Sequence, residues 1–178
     1  MANDKWVIDP MHSEVHFKIR HLVISTVTGS FKKFNGEIIS SGESFENAII
    51  NFTMDVNSID TNQAQRDQHL VSEDFFNAAQ YPEILFQSTS FKKVSDDDYK
   101  LSGNLTMHGT TRPVELTVEY GGSEKDNYGN LKHGFEIKGK INRKDFGLAY
   151  NSLTETGGLA LGEDVKLDAN IQVLKQAS

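Results

Sequence analysis

The chain contains no cysteine. Disulfides, thiol nucleophiles, iron–sulfur clusters and cysteine-ligated zinc are therefore excluded, while the redox compartment stays open. Long apolar runs are absent as well. The longest, such as Trp6–Ile8 and Ile84–Phe86, are three residues, against the 18 or more that a membrane-spanning helix needs. The same ceiling disfavours a buried parallel sheet, whose strands read as nearly continuous Val, Ile and Leu, and with it the doubly wound nucleotide folds. Bases are in deficit: 18 Lys and Arg face 25 Asp and Glu, for a formal charge of −7. A field of that sign repels polyphosphate, so nucleic acid is not an expected partner. No apolar stretch of a signal peptide follows Lys5, so the sequence as written reads as cytoplasmic; a leader removed from it would make it periplasmic. A length of 178 residues fits a single domain.

What is present is alternation of period two. Val15, Phe17 and Ile19 alternate with polar residues, and so do Ala48 to Val56, Ile84 to Ser88, Leu101 to Met107, Val114 to Tyr120, Phe135 to Ile141 and Val165 to Val173. With a less regular segment at about 27–40, these make eight half-buried antiparallel strands. Turn residues separate them at Ser41-Gly42-Glu43, Ser95 to Asp98 and Gly121 to Asn130. Eight such strands fit an all-β, up-and-down antiparallel barrel, and isolated glycines inside strands (Gly36, Gly103, Gly139) are expected to help it bend. Residues 62–80 carry no alternation. Ser72 followed by Glu73 and Asp74 resembles a helix N-cap with an acidic first turn, which predicts one or two short helices there, with Leu70, Phe75 and Phe76 packing onto the barrel.

Up-and-down connectivity sends successive loops to alternate ends. Loops 22–26, 58–81, 108–112 and 143–162 then share one end, which collects Arg20, Arg66, Arg112, Arg143, His21, His69 and His108. The opposite end collects acidic hairpin turns. The Arg/His end is expected to be the functional one, because its loops are longer and less turn-like. His21, Arg143, Arg66, His69 and His108 are its head-group candidates, since guanidinium groups suit phosphate or carboxylate. The structural reading competes: Arg66, Asp67 and Asp145 more naturally form ties that cap the barrel, while Arg143 and His21 stay open between the two. His12, Glu14 and His16 share a parity without a fourth ligand or a general base, so no metal site is expected. No G-x-S-x-G, H-E-x-x-H or P-loop occurs, so no catalytic residue is assigned. The lumen-facing set is Phe17, Ile19, Phe31, Phe52, Met54, Phe86, Leu101, Met107, Val118, Phe135 and Ile171. Periodicity alone leaves open whether these fill the barrel or line a hollow one.

The residue order also resembles a known family. Trp6-Val-Ile-Asp9-Pro-Met-His12-Ser13-Glu-Val15-His-Phe17 is similar to the opening of the YceI-like polyisoprenoid-binding proteins. The likeness continues through Val27-Thr-Gly29-Ser-Phe31, Arg66-Asp67-Gln-His69-Leu70, Tyr81-Pro82-Glu-Ile84, Leu101-Ser-Gly103-Asn-Leu105-Thr-Met-His108-Gly109 and Arg143-Lys-Asp145-Phe146-Gly147 to Gly162-Glu-Asp164-Val165. The resemblance implies an extended lipocalin-like barrel whose hydrophobic tunnel binds, stores or transports a long isoprenoid chain. Its implied ligands are polyprenyl phosphates, isoprenoid quinones or similar amphiphiles. It also implies a homodimer, no enzymatic activity and no cofactor besides the lipid. A small enzyme or metal-dependent protein acting at the Arg/His cluster is the alternative.

Overall fold

The computed structural model describes residues 3–22, 25–41, 44–151 and 161–176; the expected turn at Gly42-Glu43 lies outside them. Eleven strand segments follow one another as β1 (Asn3–Ile8), β2 (Glu14–His21), β3 (Ser25–Phe31), β4 (Phe34–Ser41), β5 (Ser44–Asp55), β6 (Ile59–Asp60), β7 (Glu83–Lys93), β8 (Asp98–Met107), β9 (Thr110–Lys125), β10 (Leu131–Asn142) and β11 (Leu161–Lys175). All pairings are antiparallel, and β1-β4-β5-β7-β8-β9-β10-β11 returns to β1, so eight strands close a barrel without a free edge. The remaining segments continue ring strands beyond a break. A 3-10 turn at Pro10–His12 separates β1 from β2, a kink at Lys32 and Lys33 separates β3 from β4, and a 3-10 turn at Val56–Ser58 separates β5 from β6. Beyond these breaks β11 passes from β1 to β2, while β3 gains β6 as its outer neighbour. The eight strands expected from alternation are thus present, three of them bent.

The breaks are chemically legible. Pro10 has no N–H to give to a ladder, and the Asp9 carboxylate accepts from Met11 N–H at 3.1 Å to fix the turn. Ser13 then mends the wall: its hydroxyl accepts from Gln172 N–H at 2.9 Å. Asp55 fixes the second 3-10 turn in the same way, accepting from Asn57 N–H at 2.9 Å.

Two expectations are corrected. Ser72 ends a helix instead of starting one. The single α-helix among the described residues, α1, spans Ala64–Val71, and both the amide and the hydroxyl of Ser72 donate to His69 C=O. The acidic pair after Ser72 belongs to turns; Asp74 meets His69 Nε2 at 2.9 Å. The β9–β10 hairpin also runs further than the glycine-rich 121–130 segment implied, with pairing as far as Lys125 and Leu131 and a bulge at Gly134/Phe135. The strand glycines also stand where neighbours pack close. A Cβ on Gly103 would lie 2.5 Å from both Gln87 O and Phe86 Cζ, one on Gly139 2.2 Å from Leu116 Cδ2, and one on Gly36 2.7 Å from Ile8 Cδ1. Conformational need appears instead at the β8–β9 turn, where His108 and Gly109 both have positive φ, as a tight hairpin requires.

The core runs the length of the barrel interior. Phe75 and Ala78 are buried and Leu70 and Phe76 partly so, which seats the α1 connection on one end as expected. Among the described residues no helix is long and apolar enough to cross a membrane.

Candidate functional site: an apolar lumen closed by aromatic rings

Inward-facing residues of the barrel strands surround a cavity of about 150 Å³, counted as space open to the centre of a water molecule. One water needs only ~10–15 Å³ on that measure. The barrel is therefore hollow in its middle. Phe52, Met54, Phe86, Leu101, Val118, Phe135 and Ile171 line this lumen, as expected from parity. Val15, Ile38, Ile50, Ile84, Phe91, Leu105 and Leu116 line it too; Val15, Ile50, Ile84, Leu105 and Leu116 share parity with the expected residues, whereas Ile38 follows the kink at Lys32 and Lys33 and Phe91 follows a register shift between Ser88 and Ser90, each of which reverses the parity. Leu167 and Val173 on β11 both face it, so it extends over roughly 20 Å of strand. Almost no polar atom is presented to the space. Of its polar lining residues, Glu37 and Asn51 are occupied with Lys5 at 2.9 Å and with each other at 3.4 Å, while Asp168 keeps a buried Oδ1 without a hydrogen-bond partner among the described residues.

Phe17, Ile19, Phe31 and Met107 do not line the lumen. Phe31 and Met107 are buried beyond its end, where Phe31 meets Phe17 at 5.5 Å and Phe76 at 6.3 Å between ring centroids. Ile19 lies on β2, past the break that takes this strand out of the closed ring.

The Arg/His end assembles as loop parity predicts. His108 Nδ1 donates to Phe146 C=O at 3.2 Å, the Tyr81 ring meets the His108 ring at 5.2 Å, and the His69 ring meets Tyr150 at 5.0 Å. These contacts join the 58–81, 108–112 and 143–162 connections. Two of its guanidinium groups, however, are turned to backbone and hydroxyl oxygens of the fold. Arg143 is 3 % exposed; its Nε donates to Gly162 C=O at 2.8 Å and its Nη1 to Leu148 C=O at 2.5 Å and Tyr150 C=O at 2.8 Å. Its Nη2 is buried with no hydrogen-bond partner among the described residues, and burial pushes the guanidinium pKa down, partly offset by Glu163. Arg66 wraps Thr61, donating from Nε to Oγ1 at 2.8 Å and from Nη2 to C=O at 2.6 Å. Asp67 accepts from the Thr61 amide and hydroxyl. Arg66 and Asp67 are therefore ties, the reading favoured for them. Arg143 resolves to the same reading, with carbonyls rather than Asp145 as partners. His21 stands at the end of β2, opposite Leu161 and Ser25. His12 and His16 part company: His12 meets Asp9 at 2.7 Å on the 3-10 turn, and His16 meets Glu14 at 3.0 Å on β2.

The opposite end is closed by rings from four strands. Phe45 packs against Trp6 (5.4 Å), His133 (4.9 Å) and Phe135 (5.2 Å), and Tyr120 stands 5.4 Å from Phe135. His133 Nδ1 lies 2.7 Å from Tyr120 Oη, and burial pushes its pKa below the ordinary 6.5. Just outside, burial would raise the Asp9 carboxyl, but hydrogen bonds from His12, Lys132 and Met11 N–H together hold it below its usual value.

A closed, bent, eight-stranded barrel with a hollow apolar middle is the setting in which sequence comparison becomes decisive. The YceI-like domain profile matches residues 6–173. The chain belongs to the YceI-like family. Protein YceI of Salmonella newport is 38% identical over 165 residues, 93% of this chain and 83% of that protein. The crystal structure of the Campylobacter jejuni YCEI protein superposes with a TM-score of 0.77 at 34% identity, covering 90% of this chain and 91% of that one. A domain from Saccharophagus degradans, described as polyisoprenoid binding and implicated in plant cell wall breakdown, has the same fold at a TM-score of 0.67 and 16% identity, covering 96% and 98% of the two chains. In this YceI-like barrel the aromatic end is the feature that sequence reasoning missed. Its rings are contributed by β1, β5, β9 and β10, so no single strand's periodicity displays them.

Proposed function

We propose that the barrel binds a long isoprenoid chain in its lumen and carries it in aqueous surroundings, with the head group left outside. The observation that carries this reading is the lumen itself: an apolar space many times the size of a water, bordered by side chains that present almost no polar surface to it. Such a space is poorly suited to water and well suited to hydrocarbon. Each five-carbon isoprene unit taken from water gains roughly 4 kcal/mol gross, at about 0.8 kcal/mol per carbon. Several units outweigh the cost of ordering the chain, with no demand on the head group. The family membership and the polyisoprenoid-binding description of the Saccharophagus domain support the same assignment.

The single tryptophan makes a direct test available, because Trp6 stands in the ring cluster at the lumen's end. Titration with a neutral isoprenoid quinone is expected to quench Trp6 fluorescence saturably near one ligand per barrel. Phe52→Asp, which puts a carboxylate on the lumen wall, should abolish the quenching. Absence of saturable quenching in the wild-type protein contradicts the proposal.

A further inference from the structure

We propose that Phe135, backed by the Phe45–Trp6–Tyr120–His133 cluster, is a fixed end wall that sets how many isoprene units the lumen accepts. The inference rests on the isoprenoid-binding reading above and adds a length limit to it. Phe135 is the member of the cluster that both lines the lumen and touches the rings behind it, edge-on to Phe45 at 5.2 Å and 89° and 5.4 Å from Tyr120. The rings behind it are braced. Phe45 is held between Trp6, His133 and Phe135, with Trp6 and His133 themselves 4.7 Å apart.

Two polar handles fix the cluster further. Trp6 Nε1 donates to the buried Ser40 hydroxyl at 3.1 Å, and Tyr120 Oη and His133 Nδ1 share a hydrogen bond at 2.7 Å. A packed Trp or Tyr whose polar atom is satisfied has one good orientation, so these rings cannot swing aside without losing a bond. The side walls carry Phe52, Phe86 and Phe91 too, but between these stand Met54, Ile50, Leu101 and Leu105, which are aliphatic, hold no hydrogen-bonded ring in place and can change rotamer around a guest. A chain can therefore find width in the lumen but not length at this end.

Side-chain arithmetic sets the size of the effect. Replacing Phe135 by Ala removes the six ring carbons, close to the five of one isoprene unit, and an apolar space opened in this way is taken by apolar matter rather than water. The experiment uses the purified full chain and an equimolar mixture of polyprenols differing by single isoprene units, with the bound fraction read by mass spectrometry. The expected result is a preferred length in Phe135→Ala longer than wild type by about one unit, a smaller shift in the same direction in Phe135→Leu, and a shorter preference in Phe135→Trp. Phe135→Leu also covers the case in which the Ala variant does not fold. Met54→Ala, which removes volume from a side wall, should leave the preferred length in place. If wild type shows a length preference that none of the folded Phe135 variants moves, or that Met54→Ala moves equally, the end-wall role is wrong while lipid binding stands. If wild type takes up no polyprenol at all, the isoprenoid-binding reading fails and the end wall with it.

Discussion

Replacing Arg143 by Gln is the perturbation that most sharply divides a structural from a ligand-binding role at the Arg/His end. In the folded protein the guanidinium is buried and donates to three carbonyls, those of Gly162, Leu148 and Tyr150, which tie the start of β11 and the segment after Phe146 to the barrel end. Hydrogen bonds from a charged donor contribute about 1.5–3 kcal/mol each. The sum is reduced by the cost of burying the charge, and part of that cost is visible in the unpartnered Nη2. Leaving three buried carbonyls without their donor costs about 1–3 kcal/mol each, and relief of the buried charge together with the Gln amide offsets part of the sum, so a net loss of about 3–5 kcal/mol is expected. For a domain of this length each kcal/mol lowers the melting temperature by roughly 2–4 °C, so Arg143→Gln should melt roughly 6–20 °C below wild type. Circular dichroism melts give that figure directly. Binding of a prenyl phosphate and of a neutral quinone, measured well below the variant's melting temperature, should change by the same factor. An unchanged melting temperature together with a ten- to hundredfold loss confined to the phosphate would refute the reasoning and make Arg143 a head-group residue.

Gly103→Ala should cost about 1–3 kcal/mol, because the new methyl would stand 2.5 Å from a backbone oxygen that cannot yield; chemical denaturation measures it. Stability should fall as the pH drops through about 6.5. His133 has a folded pKa below its unfolded value, so the unfolded chain takes up the proton first; His133→Phe should remove this step from the profile of melting temperature against pH. Asp9 also has a lowered folded pKa, and its contribution, present above about 3.8, should be lost on further acidification; Asp9→Asn flattens that last part of the curve. Phe52→Leu should fold nearly as wild type and retain lipid binding, as a calorimetric melt and the quinone titration would show, since it keeps the lumen wall apolar.

The wall of the barrel was readable in the sequence because half-buried antiparallel strands impose a period of two, and Val114 to Tyr120 or Phe135 to Ile141 display it without interruption. Parity along each strand then separated lumen from surface, which is why Phe52, Phe86, Val118 and Ile171 fall on the cavity. Parity says nothing of depth. On β2, Val15 still reaches the cavity, but Phe17 two residues on meets Phe31 past its end, and Phe31 itself lies beyond the kink at Lys32-Lys33. Loop alternation also brought the right connections to the Arg/His end. The fate of the cations there was hidden for a physical reason: Arg143 donates to backbone carbonyls and Arg66 to a carbonyl and a hydroxyl of one threonine, and a carbonyl leaves no trace in residue type. The aromatic end wall was hidden for another. Trp6, Phe45, Tyr120 and His133 come from strands far apart in the chain, and their convergence depends on barrel closure between β1 and β11.

Occupancy of the lumen is tested most directly by the protein as purified. Native mass spectrometry followed by organic-solvent extraction should find one apolar-chained molecule per barrel, with a mass series spaced by isoprene units. That species should be lost in Phe52→Asp and retained in Arg143→Gln wherever the latter is folded. A barrel that extracts clean and stays empty when offered polyprenols and isoprenoid quinones in excess would contradict the proposed function outright.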